Sequence, residues 1–147
     1  MNLPPTPSRN RTDPMQVLFY GCTRLADALV PVLVHDGHHV TVMDTDSDRL
    51  AIIKRQTDID AVWIADPLMQ DFLIEGKINS AEAFYSLSED DHKNLLLCQI
   101  ASAIYNVPRT MCHLSDPQLQ DFYEPLGMRV VNGGHDFLSS ARELLDQ

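Results

Sequence analysis

Basic residues are scarce in this chain. It has 11 lysines and arginines against 21 aspartates and glutamates, a formal net charge of −10 over 147 residues. That balance argues against a nucleic-acid partner, whose phosphates need a basic surface. Cysteine is scarce too. Cys22, Cys98 and Cys112 are odd in number, widely spaced and form no C-x-x-C pair, which points to a reducing compartment. Long apolar runs are lacking. The longest, Leu25 to Val34, is short and carries Asp27 and Pro31, so direct membrane insertion is not expected. The N-terminus lacks the apolar core of a signal peptide. Residues 1–14 hold Pro4, Pro5, Pro7 and Pro14 with Ser8, Asn10 and Thr12, and read as a disordered leader.

What is present is most informative between Met15 and Asp44. A short apolar strand, Val17 to Tyr20, runs into Gly21. A helical pattern follows, stops at Gly37, and gives way to a second apolar strand ending in Asp44. Strand, glycine turn, helix, strand and acid in that order open a dinucleotide-binding βαβ unit. The fingerprint G-x-G-x-x-G is only partly kept, as Gly21-Cys22-Thr23-Arg24-Leu25-Ala26. Gly21 keeps the tight turn. Thr23 stands where a glycine would let the backbone approach a pyrophosphate, and its hydroxyl either bonds a phosphate or blocks it. Ala26 is a mild substitute at the close helix–strand contact. The helix N-terminus still offers N–H groups to an anion. Asp44 lies where an acid bonds ribose hydroxyls, which disfavours a 2′-phosphate and hence NADP.

The chain length suits one domain with a full core. Strands and helices alternate along it. Ser47 to Gln56 reads as a helix capped by Asp46 or Ser47, with Leu50, Ile53 and Ile52 toward the core. Ala61 to Ala65 is a third strand, followed by a helix from Pro67 with Met69, Phe72 and Leu73 at helical spacing. Ala83 to Leu87 is a fourth strand, with a helix from about His92 to Tyr105 behind it. Thr110 to Leu114 is a fifth, Asp116-Pro117 starts a helix, Met128 to Val131 is a sixth strand, and Asp136 to Leu145 is a final amphipathic helix. The expected fold is α/β: a Rossmann-like three-layer domain with a six-stranded parallel sheet and a C-terminal crossover helix. Its ligand edge should gather Gly21 to Arg24, Asp44, Ala65-Asp66, Ser88 and the His113 region.

In order along the chain, six blocks carry a family resemblance. They are Gly21-Cys22-Thr23-Arg24; His38-His39-Val40-Thr41-Val42-Met43-Asp44, continued by Asp46, Asp48, Arg49 and Leu50; Ala65-Asp66; Ser88-Glu89-Asp90-Asp91-His92-Lys93-Asn94-Leu95; Val107-Pro108-Arg109 leading to His113 and Asp116-Pro117; and Leu126-Gly127-Met128-Arg129-Val130-Val131. Residues 15 to about 133 thus resemble the TrkA-N family, the N-terminal half of regulator-of-K+-conductance (RCK) domains. The resemblance implies a cytoplasmic, non-enzymatic domain that senses NAD(H) or an adenine nucleotide (ATP, ADP or AMP). It implies assembly as a homodimer or larger ring on the inner face of a potassium transporter or channel. Within Gly21, Cys22, Thr23, Arg24, Leu25, Asp44, Thr45, Asp66, Ser88 and His113 it implies particular roles. Asp44 would hold the adenosine ribose, Asp66 would border the adenine, Ser88 would line the cleft, and Arg24 would reach phosphates in its own or a neighbouring subunit.

The departures are Thr23, Ala26, Ala65 for glycine, and His113 where the family often has arginine. A histidine there is either a pH-sensitive group or a plain substitute. Pro31 should kink the first helix. Against the resemblance, the family's C-terminal half is expected to be missing. Residues 15–134 are then the nucleotide-binding domain. The helix within 135–147, with Phe137, Leu138, Ala141, Leu144 and Leu145, has little left to cover in that domain and should dimerise on a second subunit. His35, His38 and His39 read as a solvated turn rather than a metal cluster. Asp44, Asp46 and Asp48 lack the glycine and distal glutamate of a calcium loop. Cys22 could be a reactive thiol, because helix N-termini lower thiol pKa. Two other readings stay open. One is a nucleotide-free oligomerisation module. The other is a small NAD-dependent oxidoreductase.

Overall fold

The computed structural model describes residues 13–65, 73, 77–134 and 136–146. The strands are β1 (Gln16–Tyr20), β2 (His39–Asp44), β3 (Asp60–Trp63), β4 (Ala83–Ser86), β5 (Thr110–His113) and β6 (Val130–Val131). The helices are α1 (Arg24–His35), α2 (Ser47–Gln56), α3 (Asp91–Ala103), α4 (Pro117–Tyr123) and α5 (Phe137–Leu145). Local chemistry sets their starts. Asp46 accepts from the N–H groups of Asp48 and Arg49, both at 3.1 Å, to cap α2. Asp90 caps α3 through the Lys93 N–H, and Asp116 caps α4 with Pro117 in its first turn. These are the side chains that favour N-caps. Pro31 lies inside α1, and the helix continues past it to His35.

The strand order is β3-β2-β1-β4-β5-β6, and every pairing is parallel. The chain therefore changes direction across the sheet between β1 and β4. The loops after these two strands stand side by side at the carboxyl edge, where open parallel sheets bind ligands. Alternation along β1 divides its side chains between two apolar layers. Val17 and Phe19 join α1, α2 and α5 on one face. Leu18 and Tyr20 join α3 on the other. Phe19 stacks on Tyr85, ring centroids 4.8 Å apart.

Four expectations change. First, α5 folds back on its own sheet. Phe137, Ala141, Leu144 and Leu145 are buried, with the helix packed against α1, β5 and β6, and the Tyr85 hydroxyl of β4 donates to the Ala141 carbonyl. Apart from Leu138, which is exposed at the cavity, the apolar face of this helix is consumed within the domain, because α1 and α2 leave that face of the sheet open over β4 to β6. A second subunit is not needed to cover it. Second, Ile52 is half-exposed on the outer side of α2 rather than in the core. Third, His38 is not a solvated turn residue. It is buried, and its Nδ1 accepts the Met15 N–H at 3.1 Å. His39 beside it pairs with Asp60 at 2.9 Å. Fourth, the third and sixth strands are shorter than the apolar runs that signal them. The helix expected from Pro67, with Met69 and Phe72, lies outside the described residues except for Leu73, which is buried and helical.

Leu144→Ala should cost about 2–5 kcal/mol of stability, as core leucine truncations do. Urea denaturation of the variant measures it; a loss under about 0.5 kcal/mol would mean that α5 is not part of the core.

Candidate functional site

Gly21 is where the two loops of the carboxyl edge meet. Its φ is +104°, a conformation that side chains resist. A Cβ there would stand 2.7 Å from the Ser88 backbone nitrogen and 2.9 Å from its Cα. The first fingerprint glycine is thus required twice, by the turn and by the close approach of the β4–α3 loop. Ala26, at the third glycine position, puts its methyl group into the core and is fully buried. The helix–strand contact accommodates it.

The turn after Gly21 is pinned on both sides. The Cys22 N–H donates to Asp44 Oδ2 at 2.5 Å. The Cys22 carbonyl accepts from Arg49 Nε, also at 2.5 Å, and the same guanidinium reaches Asp27 at 3.3 Å. Asp44 Oδ1 accepts the Asp46 N–H at 2.8 Å. Its two oxygens offer about four lone pairs between them, so acceptor capacity remains for ribose hydroxyls. Thr23 is the residue before α1. Its hydroxyl makes no cap bond and donates instead to the Leu87 carbonyl at 2.7 Å. That bond uses the hydroxyl's proton, while Thr23 itself stays in the lining of the neighbouring cavity. The side chain fastens the loop to the end of β4 and caps none of the first-turn amides of α1. Those amides have no acceptor within the helix.

Beside this loop lies a cavity of about 520 Å³ lined by Thr23, Arg24, Leu25, Leu87, His113 and Gly133, among others. Of the expected site residues, Thr23, Arg24, Leu25 and His113 come together here. Asp44 and Thr45 stand on the other side of the turn, over β2. Ser88 is brought close, but its hydroxyl donates to Asn94 Oδ1 at 2.6 Å and braces the loop; Leu87 and Glu89 line the cavity instead. His113 Nδ1 lies 3.3 Å from the Ser88 carbonyl. Asp66 lies outside the described residues. Cys22 is not an activated thiol. It is buried, and its pKa is pushed up to about 12 by burial and then by the carboxylates of Asp44 and Asp27. These outweigh the opposing pull of the Arg49 guanidinium.

Three residues of this edge were not singled out as site residues from sequence. Arg49 was visible only as part of the second block. Asn94 is fully buried. Its side-chain oxygen accepts from the Ser86 and Ser88 hydroxyls and the Ser88 N–H, and its amide donates to the Ser88 and His113 carbonyls at 2.8 and 2.9 Å. A buried polar residue in an apolar helix is the signal that could have marked it. Trp63 is the chain's one tryptophan and ends β3 beside Asp44. Nearby, Asp91 accepts from the Ser115 and Asp116 N–H groups. Burial pushes its pKa up, but these bonds, the Ser115 hydroxyl and His113 outweigh it and hold the carboxyl below its ordinary value.

The strand order, the glycine turn and the acid ending β2 define a Rossmann-type domain. The TrkA-N domain model matches residues 17–132, and the chain belongs to the TrkA-N family. It is 28% identical over 123 residues to the Trk system potassium uptake protein TrkA of Streptomyces coelicolor, covering 80% of this chain and 52% of that protein. The chain spans about half the length, or less, of the curated relatives it matches. Among solved structures, the AMP-bound Kef C-terminal domain of Shewanella denitrificans superposes with a TM-score of 0.68 at 16% identity, covering 82% of this chain and 73% of that one. The GsuK channel bound to NAD gives 0.67 at 17% identity, covering 82% and 22%. At these identities the structural likeness speaks for the fold.

Gly21→Ala should destabilise the domain by about 2 kcal/mol or more, since it combines a strained φ with a backbone clash. Denaturant titration checks this, and a change within about 0.5 kcal/mol would refute the close approach to Ser88.

Proposed function

We propose that this domain binds an adenine nucleotide, NAD(H), ATP, ADP or AMP, at the carboxyl edge of its sheet, and that it acts without catalysis as a regulatory part of a potassium transporter or channel. The observation that carries this reading is the orientation of Thr23. With its hydroxyl tied to Leu87, the N-terminus of α1 keeps its anion-binding amides open despite the missing second glycine. Asp44 sits one loop away with acceptor capacity for a ribose. Arg24, exposed at the rim of the cavity, would meet phosphate. The relatives named as potassium uptake proteins, and the solved relatives holding AMP and NAD, support the ligand class and the setting. Regulation would follow if the nucleotide favours one of two arrangements of the assembled domains. The domain would then work at the cytoplasmic face of the membrane. Among the described residues no helix is long and apolar enough to cross a membrane.

Partners on this reading are a membrane transport subunit and further copies of the chain. Because α5 is consumed within the domain, the surface for self-association is better sought on the α3–α4 side. There Leu96, Ile104, Phe122 and Leu126 are more than half exposed, and the chain carries no charge from Asn94 through Pro108. The uncharged run along α3, beside the acids Asp121 and Glu124 of the α4 region, is the part of this face that two acidic copies can bring together with least repulsion.

A second reading has its own observation. Asp44 and Arg49 already satisfy both backbone groups of Cys22, so the loop is complete without a ligand. That is what a structural module with a retired nucleotide site would have.

Calorimetric titration with AMP, ADP, ATP, NAD+ and NADH separates the two. Saturable binding to one nucleotide, weakened by about 1–3 kcal/mol in Asp44→Asn through loss of charge-assisted hydrogen bonds, supports the sensor. Absence of binding to all five favours the structural module. Turnover of NADH with a carbonyl substrate would instead bring back the oxidoreductase. For assembly, Phe122→Asp should lower the mass seen by light scattering if α3–α4 is the contact; an unchanged oligomer would exclude that face.

A further inference from the structure

The lone tryptophan of the chain is not in its core. Trp63 closes the edge strand β3 and is 58% exposed. A single exposed apolar side chain is ordinary, and by itself would carry nothing. Two features set this one apart. Its indole N–H donates to the Thr45 carbonyl at 3.0 Å, so the ring is held in place rather than loose. And Trp63 is in register with Asp44 across the β2–β3 pair. Residues in register on parallel neighbours project to the same face, and the strands lie about 4.8 Å apart. The fixed, solvent-facing ring therefore stands one strand away from the carboxylate placed for a ribose.

We propose that Trp63 is the stacking platform for the purine base of the bound nucleotide. The inference rests on the reading of Asp44 as the ribose-binding acid. A base joined to a ribose at Asp44 reaches the neighbouring strand within the width of one ring. An indole with its N–H already paired presents its π-face at little entropic cost. Stacking of this kind tolerates either a mononucleotide or a dinucleotide, since both carry the same base. It selects against ligands with phosphate and ribose but no base.

The sole tryptophan makes the test specific. The protein is titrated separately with AMP, NAD+ and ribose 5-phosphate, following both heat and tryptophan fluorescence. The expected result is saturable quenching by AMP, NAD+ or both, at the affinity seen by calorimetry, and none by ribose 5-phosphate. Trp63→Ala should weaken nucleotide binding about ten-fold, and Trp63→Phe should recover most of it. The affinity for ribose 5-phosphate should be unchanged in both. Circular dichroism spectra matching the unmodified protein exclude misfolding as the cause. Nucleotide binding by calorimetry with silent fluorescence and undiminished affinity in Trp63→Ala would overturn the role of Trp63 and leave the nucleotide site standing. Absence of any binding heat would overturn both.

Discussion

The arrangement of the carboxyl edge depends on one steric constraint, the contact of the Gly21 backbone with that of Ser88. With no side chain at residue 21, the loop after β1 lies directly on the loop after β4. This contact closes the point at which the strand order reverses. Around it, three side chains hold the loops in one geometry. Thr23 binds the end of β4, Asp44 binds the turn from β2, and Asn94 holds the β4–α3 loop from inside α3. A loop fixed in this way does not need to be ordered when a ligand arrives, which lowers the cost of binding. The same fixation serves stability when no ligand is present.

Much of this was legible in the sequence, because the signals were local. Apolar runs bounded by Gly21, Gly37 and Asp44 marked the first βαβ unit, and Asp46 and Asp116 stood where helix chemistry puts a start. Parallel pairing followed from strands that are apolar on both faces. The errors were of a different kind. The face covered by α5 depends on which part of the sheet α1 and α2 leave bare, and no local pattern contains that. Cys22 looked activated because it precedes a helix, yet burial and two nearby carboxylates push its pKa the other way. His38 looked like a turn residue, yet a long-range bond to the Met15 backbone buries it. The role of Thr23 was undecidable from the fingerprint, since it rests on a carbonyl at residue 87.

The departures from the glycine fingerprint thus read as substitutions with structural work to do. Ala26 fills core volume, and Thr23 exchanges backbone closeness to a phosphate for a bond between loops. Both leave the α1 N-terminus facing the edge. The electrostatics are divided in the same way. Asp44 and Arg49 act on the loop's own backbone, while Arg24 and His113 face the cavity. This division is what lets one edge serve as a brace and, on the reading favoured above, as a ligand site.

Amide chemical-shift mapping of the labelled protein with AMP and with NAD+ tests that reading most directly. The account predicts saturable shifts in the amides of Thr23, Arg24 and Leu25 and of the Thr45–Asp46 turn. Shifts confined to the opposite edge, around Asp36 and Arg142, or spectra unmoved by either nucleotide, would contradict it.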